Sequence, residues 1–181
     1  MFDVQLDRVR FPDGSEGQLE VLRHPGAAAV VPLYVEGERP GGTRWGVVLL
    51  RQYRYAAGGC IWEIPAGKLD GEEAPESCAR RELEEEAGLK ARKLTRLASV
   101  YTTPGFTDER IHLFLATGLE AGRPSRERDE FMETHVLDFE QALEFVRDGR
   151  IVDAKTVCAL LYVASFLDAE RATGMKRSGA V

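Results

Sequence analysis

The amino-acid sequence predicts an α/β protein in which helices bracket a mixed β-sheet and a β-hairpin precedes this sandwich. Several short segments have the apolar and β-branched composition of strands. Two later segments repeat apolar residues at helical spacing. The chain of 181 residues, of which 44% are hydrophobic, is long enough to bury one full core. A single main domain is therefore expected.

The N-terminal segment predicts the hairpin. Residues 2–11 alternate apolar and charged side chains, residues 12–17 (PDGSEG) have the composition of a turn, and residues 18–24 resume the strand pattern. We therefore interpret residues 1–25 as a β-hairpin.

Two apolar runs predict the central strands of the main sheet. Residues 27–35 (AAAVVPLYV) and 45–54 (WGVVLLRQYR) are joined by a polar, glycine-rich loop. Further short, apolar or β-branched segments follow at residues 94–103, 110–119 and 131–139. Strands of this kind are typical of a mixed sheet.

Two helices are predicted towards the C-terminus. Residues 138–148 have apolar side chains at helical spacing, and Gly149 provides a stop. Residues 153–171 form the second helix, whose predicted apolar face consists of Val157, Leu160, Leu161, Ala164 and Leu167. The main domain thus covers residues 26–172, and residues 173–181 are expected to form a flexible tail.

The overall composition limits the environment and the partners of the protein. A net charge of -6 disfavours broad nucleic-acid binding, which requires a positive surface. The sequence contains neither an apolar stretch of about 18 residues nor the pattern of a signal peptide. Three cysteines without metal-site spacing indicate reduced thiols. We expect a cytoplasmic protein without a nucleic-acid or membrane partner; a small phosphorylated ligand remains possible.

A cluster of acids lies between Gly67 and Leu89, in GKLDGEEAPESCARRELEEEAGL. The second half of this segment predicts a helix on which Glu82, Glu85 and Glu86 share one face. Like charges at this spacing destabilise an isolated helix by about 0.2–0.5 kcal/mol per pair, so the cluster requires compensation. Mg²⁺ or Mn²⁺ would supply it, since both bind a few carboxylates together with water and substrate phosphates.

The same helix has a simpler interpretation. It could be solvated, with Arg80 and Arg81 pairing with Glu84 and Glu85. The wider pattern favours the metal site, because the segment resembles the Nudix box, G-x5-E-x7-R-E-U-x-E-E-x-G-U, where U is aliphatic. Every fixed position is matched, and these positions are Gly67, Glu73, Arg81, Glu82, Leu83, Glu85, Glu86, Gly88 and Leu89.

The resemblance implies the Nudix fold, an α/β/α sandwich whose loop-helix-loop holds two or three metal ions. Glu82 and Glu86 would be the principal ligands, Glu85 would assist, and the backbone carbonyl of Ala66 would complete the site. Arg81 would orient the acids. The implied reaction is hydrolysis of a nucleoside diphosphate linked to another moiety, which leaves the substrate to be argued from other segments.

Several segments outside the acidic helix resemble the ADP-ribose pyrophosphatase subfamily. Pro104 follows Gly88 by 16 residues, and IWEIPAGKLD, RQYR and GRIVDAKTVCALL are similar to subfamily segments. This resemblance covers nearly the whole chain. It implies hydrolysis of ADP-ribose, or a related nucleoside diphosphate sugar, to AMP and ribose 5-phosphate.

The same matching suggests the substrate-binding residues. Arg54 stands at the end of a predicted core strand, where a guanidinium could hold a phosphate bidentately or form a surface salt bridge. Glu109 would contact the ribose or the base, or be a solvated loop acid, and Arg23 would reach a substrate across a dimer. The full set matched to substrate positions is Arg23, Arg54, Lys68, Pro104 and Glu109.

The loop RPSRERDEFMETH supplies candidates for the remaining catalytic roles. In the subfamily, a loop glutamate joins the metal ions or activates water. We assign Glu130 to the metal site and Glu127 as the general base, with Asp129 and Glu133 as the other acids of the loop. An acidic surface loop is the alternative for each of them.

The aromatic residues and histidines suggest little chemistry. Trp62 is interpreted as a core residue rather than a base-stacking platform. His24, His112 and His135 have no partner at metal-ligand spacing, and we interpret each of them as structural.

Two alternatives to an ADP-ribose hydrolase remain. A regulatory module that keeps the Nudix fold without catalysis is disfavoured by the intact glutamates. A Nudix hydrolase of GDP-mannose, a UDP-sugar, NADH or a dinucleoside polyphosphate retains the same box. The N-terminal hairpin resembles subfamily members whose first strands cross to a partner, which implies a homodimer.

Overall fold

The computed structural model describes residues 3–35, 45–125 and 131–173. Its strands are β1 (Asp3–Arg10), β2 (Glu16–Arg23), β3 (Ala27–Tyr34), β4 (Gly46–Arg54), β5 (Gly59–Glu63), β6 (Ala66–Lys68), β7 (Leu89–Tyr101), β8 (Arg110–Ala121) and β9 (Met132–Asp138). Its helices are α1 (Pro75–Ala87), α2 (Phe139–Arg147) and α3 (Ala154–Thr173). The chain thus follows the predicted order of hairpin, mixed sheet and helices.

The main sheet is mixed. The described residues form seven strands, with β5-β4-β3-β8-β7 in order, β6 paired to β3 and β9 paired to β4. The strands β3 and β8 run parallel, and the other pairs are antiparallel. Strand β3 is buried on both faces, as its continuous apolar run predicts.

The two faces of the sheet carry separate hydrophobic cores. Ala29 and Val31 belong to the cluster that includes residues of α2 and α3. Ala28 and Val30 alternate with them along β3 and belong to the cluster with α1. This arrangement confirms the predicted α/β/α sandwich.

The helix predicted in the acidic segment is α1. Pro75 occupies its first turn, where a missing N–H costs nothing, and Gly88 ends it with φ 66°. The N–H of Gly88 donates to the carbonyls of Glu84 and Leu83, which closes the helix in a left-handed conformation suited to glycine. The predicted hairpin is also confirmed, with β1 and β2 paired from Asp3↔Arg23 to Arg10↔Glu16. The domain boundaries at residues 25 and 172 stay predictions.

Several elements differ from the sequence prediction. Strands β5 and β6 were not predicted, and β7 begins at Leu89 rather than near residue 94. On α3, Leu161 was assigned to the apolar face but is 46% exposed, so that assignment is wrong. The buried positions are Thr156, Ala159, Leu160 and Val163, which recur at helical spacing.

Two further observations concern the environment of the chain. Cys60, Cys78 and Cys158 are free thiols. Among the helices of the described ranges, none combines the length and the apolar character that a membrane crossing needs.

Candidate active site

A cleft of about 660 Å³ gathers charged residues from separate parts of the chain. The acids of helix α1 line one part of it beside strand β6, and Arg54 and Lys155 line another part with cations. Thr102 and Glu109 contribute from the segment between β7 and β8. A volume of this size suits a small-molecule substrate, since such pockets span roughly 300–1,000 Å³.

Two acids of α1 are buried and do not lie on a solvated face. Glu82 is 8% exposed and Glu86 is 3% exposed, and both line the cleft beside β6. The backbone N–H of Ala66 donates to Glu86 Oε2 over 2.8 Å. A Cβ on Gly67 would lie 1.8 Å from Glu82 Oε1, so only glycine allows this carboxylate to pack against β6. The first glycine of the motif is therefore explained by packing.

Arg81 joins the acids of the loop and helix. Its Nε and Nη2 donate to Glu73 over 3.2 and 2.9 Å, and Nη1 donates to Glu82 over 2.6 Å and to Glu85 over 3.1 Å. The hydrogen bond with Glu73 is the main cause that raises the pKa of Arg81, and the same bond lowers the pKa of Glu73. The solvated alternative holds only in part, because Arg81 pairs with Glu85 whereas Arg80 pairs with Glu76.

The acidic part of the cleft fits a divalent cation. Within the described ranges no three His, Cys, Asp or Glu side chains form a ready-made metal cage. Mg²⁺ needs no such cage, because it binds through one or two carboxylates, water and substrate phosphates. Glu82, Glu85 and Glu86 supply carboxylate oxygens along one cleft wall, and two of them are buried. Burial of neighbouring acids is costly unless cations compensate their charge.

The cationic part of the cleft is centred on Arg54. Its Nε and Nη2 donate to the two oxygens of Glu63 over 2.7 and 2.9 Å. Glu63 is 2% exposed and also accepts from Lys155 Nζ over 2.5 Å. Burial raises the pKa of Glu63, but the hydrogen bonds and charges of Arg54 and Lys155 outweigh burial and hold it below its usual range. The bond with Glu63 raises the pKa of Arg54.

The first turn of α3 connects this cationic part to the sheet. Asp153 Oδ2 accepts from the backbone N–H and the hydroxyl of Thr156 over 3.0 and 2.6 Å, as an N-terminal helix cap does. The hydroxyl of Thr156 in turn accepts from the N–H of Ile64 over 2.9 Å. Helix α3 is thereby joined to the residue that follows Glu63.

A third polar group lies where the segment after β7 meets the cleft. Glu109 Oε2 accepts from the hydroxyl of Thr102 over 2.7 Å, and Glu109 Oε1 lies 3.4 Å from His24 Nε2. The ring nitrogen Nδ1 of His24 accepts from the N–H of Gly26 over 3.1 Å, so the neutral ring carries its proton on Nε2. Glu109 is thus held on both oxygens.

The structure brings together most of the residues that the sequence assigns to the site. The predicted residues that line the cleft are Arg54, Ala66, Lys68, Arg81, Glu82, Glu85, Glu86 and Glu109. Arg23 instead pairs with Asp7 and Asp108, and neither Arg23 nor Pro104 lines the cleft of the single chain.

Other assignments lie elsewhere or are not described. Glu127 and Glu130 lie outside the described residues, as does Asp129. Trp62 is half-buried and packs against His135 and Phe145, with ring centroids 5.0 and 5.9 Å apart. This packing matches the core interpretation of Trp62.

Sequence reasoning missed Glu63, Asp153, Lys155 and the cleft position of His24. Two signals were available in the chain itself. Glu63 is an acid within the apolar run IWEIP, and Asp153 precedes a helix as a capping residue would. Neither signal identifies its partner, because Glu63 and Lys155 are 92 positions apart.

The protein is an α/β sandwich, with a mixed sheet between helical layers. Acids of one helix line a cleft in it, which is the arrangement of an enzyme that binds divalent metal ions through carboxylates. The NUDIX domain family model matches residues 23–160, and the chain belongs to the Nudix family. The predicted family resemblance is therefore confirmed.

Individual relatives cover most of the chain. An ADP-ribose pyrophosphatase of Bacillus subtilis (strain 168) is 40% identical over 90% of this chain and 85% of its own length. A GDP-mannose pyrophosphatase of Cronobacter sakazakii (strain ATCC BAA-894) is 38% identical over 80% of each chain. A solved structure described as an ADP compounds hydrolase shares the fold with a TM-score of 0.77 and 21% identity, covering 94% of this chain and 88% of its own.

Proposed function

We propose that this chain hydrolyses the pyrophosphate bond of ADP-ribose to give AMP and ribose 5-phosphate. The observation that supports this proposal most strongly is that one cleft places the buried acids Glu82 and Glu86 together with the cations Arg54 and Lys68. A pyrophosphate needs both sets, because its charge requires direct cationic contacts and metal ions held by carboxylates. Similarity to an ADP-ribose pyrophosphatase over 90% of the chain supports the choice of substrate.

Nudix hydrolases generally use divalent metal ions, and we infer Mg²⁺ for this chain, with two or three ions and with Mn²⁺ as a substitute. Glu82, Glu86 and Glu85 would hold them with the Ala66 carbonyl, and Glu130 would add a ligand from the loop. When bound, such ions polarise phosphoryl oxygens and lower the pKa of the attacking water.

The other roles belong to side chains of the chain itself. Arg81 orients the acids, which is supported by its bonds to Glu73, Glu82 and Glu85. Glu127 accepts the proton of the attacking water, with Glu85 assisting from α1. Ser125, two residues before Glu127, lines the cleft, and its N–H donates to the Glu85 carbonyl over 3.0 Å. The chain therefore enters this loop beside the acids.

The substrate would lie along the cationic and polar parts of the cleft. Glu63 already occupies Nε and Nη2 of Arg54, so a phosphate would bind the remaining N–H groups of the guanidinium. Lys68 would contribute a second cation. Glu109 would accept hydrogen bonds from ribose hydroxyls, which is supported by its fixed position between Thr102 and His24.

A product-resolved hydrolysis screen tests this function. ADP-ribose, GDP-mannose, a UDP-sugar, NADH and a dinucleoside polyphosphate are compared with Mg²⁺ and with Mn²⁺. We expect ADP-ribose to have the highest kcat/KM and to yield AMP with ribose 5-phosphate. An advantage of about tenfold for another substrate, which corresponds to about 1.4 kcal/mol in the transition state, would overturn the substrate assignment.

GDP-mannose is the specific alternative, because one relative of 38% identity is a GDP-mannose pyrophosphatase. A non-catalytic regulatory module would turn over none of the five compounds. The retained Glu82, Glu85 and Glu86 argue against that module.

We also infer a homodimer in which residues 1–25 act as an arm and Arg23 reaches the partner's substrate. Val4 and Leu6 on β1 support this proposal, because they are 64% and 60% exposed. A cytoplasmic location is supported by the free thiols. The net charge of -6 supports the absence of a nucleic-acid partner.

A further inference from the structure

Glu63 is a buried acid for which the proposed mechanism has no chemical role. It is 2% exposed, yet its pKa lies below the usual range because Arg54 and Lys155 donate to it. A buried carboxylate without partners is strongly destabilising, so Glu63 is stable only as part of this three-residue group. The position of the acid and that of its partners therefore depend on each other.

The contact with Glu63 restricts Arg54 more than a single hydrogen bond would. The paired bonds of 2.7 and 2.9 Å hold the plane of the guanidinium. Nη1 of Arg54 has no hydrogen-bond partner in the described ranges, and the side chain is 42% exposed where it lines the cleft. One edge of the guanidinium is therefore fixed by the protein, and the other edge remains available to a ligand.

Lys155 holds Glu63 in place from helix α3, 92 positions later in the chain. Its Nζ lies 2.5 Å from Glu63 Oε2 and 3.1 Å from Asp153 Oδ1. Asp153 caps α3, so the ammonium is attached to a helix end rather than to a mobile loop. The side chain of Lys155 is only 14% exposed, which leaves its charge directed mainly to the two carboxylates.

We propose that Glu63 is a positioning residue that holds Arg54 in its phosphate-binding orientation, and that Lys155 holds Glu63. This inference rests on the proposed contact between Arg54 and the substrate pyrophosphate. A guanidinium that is already fixed loses less conformational entropy when it binds, and this strengthens substrate binding. Glu63 touches neither the substrate nor the water, and it acts only through Arg54.

A double-mutant cycle with Glu63→Gln and Arg54→Ala tests the proposal. Glutamine has nearly the same shape, but its amide nitrogen cannot accept from Arg54 or Lys155. We expect Glu63→Gln to raise KM for ADP-ribose about tenfold with little change in kcat and in the Mg²⁺ concentration for half activity. In the Arg54→Ala background, Glu63→Gln should leave KM nearly unchanged, because the residue through which it acts is gone.

Matched variants separate this role from a general loss of structure. Glu140→Gln on the exposed surface of α2 removes an equal charge and should retain the wild-type KM. Lys155→Met should raise KM in the wild-type background and leave it nearly unchanged in the Arg54→Ala background. Thermal unfolding is recorded for every protein, and if Glu63→Gln fails to fold, the cycle between Lys155 and Arg54 decides the proposal.

The outcomes also distinguish this inference from the proposed function. If Arg54→Ala leaves KM unchanged, the proposed phosphate contact is wrong, and the inference is overturned with it. If Arg54→Ala raises KM but Glu63→Gln and Lys155→Met do not, only the positioning role is overturned. Additive effects of Glu63→Gln and Arg54→Ala on KM would likewise overturn it. If the substrate screen favours another compound, the cycle is run with that compound.

Discussion

The carboxylate of Glu82 packs directly against the backbone of Gly67, so that a Cβ on Gly67 would lie 1.8 Å from Glu82 Oε1 and 2.2 Å from its carboxyl carbon. This contact brings strand β6 and helix α1 together at the acidic part of the cleft. Glycine is required here because of the close approach of an acid, and not because of a left-handed backbone conformation, since Gly67 has no positive φ.

Gly67→Ala is therefore expected to displace Glu82 and to lower kcat/KM by about 10²-fold, since a misplacement of about 1 Å at a catalytic group can cost that much. Steady-state kinetics and thermal unfolding measure the effect. Gly59→Ala is the control, because a Cβ on Gly59 meets nothing within 4 Å. Wild-type activity of Gly67→Ala would show that the position of Glu82 does not matter for catalysis.

Glu86→Gln tests the metal assignment. Glutamine retains an acceptor for the N–H of Ala66 but loses the negative charge, so the fold should persist while activity falls on the order of 10²-fold. Activity is measured against Mg²⁺ concentration and in chelator. Glu84→Gln on the same helix, where Glu84 pairs with Lys90, should behave like wild type. Full activity in chelator would exclude the metal site.

Variants of Glu130 and Glu127 are expected to lose activity in different ways. Glu130→Gln should raise the Mg²⁺ concentration needed for half activity, and excess Mg²⁺ should restore part of the rate. Glu127→Gln should lower kcat on the order of 10²-fold at saturating Mg²⁺, with little change in KM for ADP-ribose. Glu133→Gln serves as the control, since Glu133 is exposed on β9. Wild-type kinetics for both loop variants would leave water activation to the metals and Glu85.

Glu63 should also make stability depend on pH. Its pKa in the folded protein lies below its unfolded value near 4.3, so its stabilising contribution is complete above that pH and is lost as the pH falls towards the folded pKa. The melting temperature of the wild type should therefore fall more steeply below about pH 4.3 than that of Glu63→Gln. Melting curves at several pH values measure the difference, and parallel curves would contradict it. Glu140→Gln should keep the wild-type slope.

The N-terminal hairpin provides a test of the dimer. Val4 and Leu6 lie on one face of the hairpin, and Val4→Asp with Leu6→Asp should convert a dimer into a monomer of 20.1 kDa. Sedimentation measures the mass. Leu19→Asp is the matched control, because Leu19 pairs with Asp7 on the opposite face of the hairpin. If the wild type is a monomer, or if the double variant is still a dimer, the hairpin does not act as a dimer arm.

Local patterns in the sequence predicted much of the fold. The alternating hairpin, the doubly buried β3 and the box helix ended by Gly88 each follow from the periodicity or capping of neighbouring residues. Strand β6 has three residues, too few to show a period, and β5 begins within a glycine pair. Leu161 was wrongly assigned to the apolar face of α3 because most residues of this helix are apolar, so that periodicity alone does not identify every buried position.

The candidate site likewise contains residues that the sequence could predict and residues that it could not. The acids of α1 could be predicted because they are close together in sequence and match one motif. The contact between Glu63 and Lys155 could not be predicted, because the two residues come together only when α3 packs against the sheet. For Glu82 and Glu86 the helical spacing was correct, but their burial depends on β6, which the sequence did not predict.

The 92-residue separation of Glu63 and Lys155 affects the order in which the protein acquires activity during synthesis. A ribosome produces β6 and α1 well before residues 153–155 emerge, and folding during synthesis starts from the N-terminal side. A nascent chain at that stage contains the acids of the cleft together with Arg54 and Glu63, but it still lacks the ammonium group of Lys155 that bonds Glu63. If Glu63 and Lys155 position Arg54 as proposed, a nascent chain binds a pyrophosphate more weakly until α3 has docked.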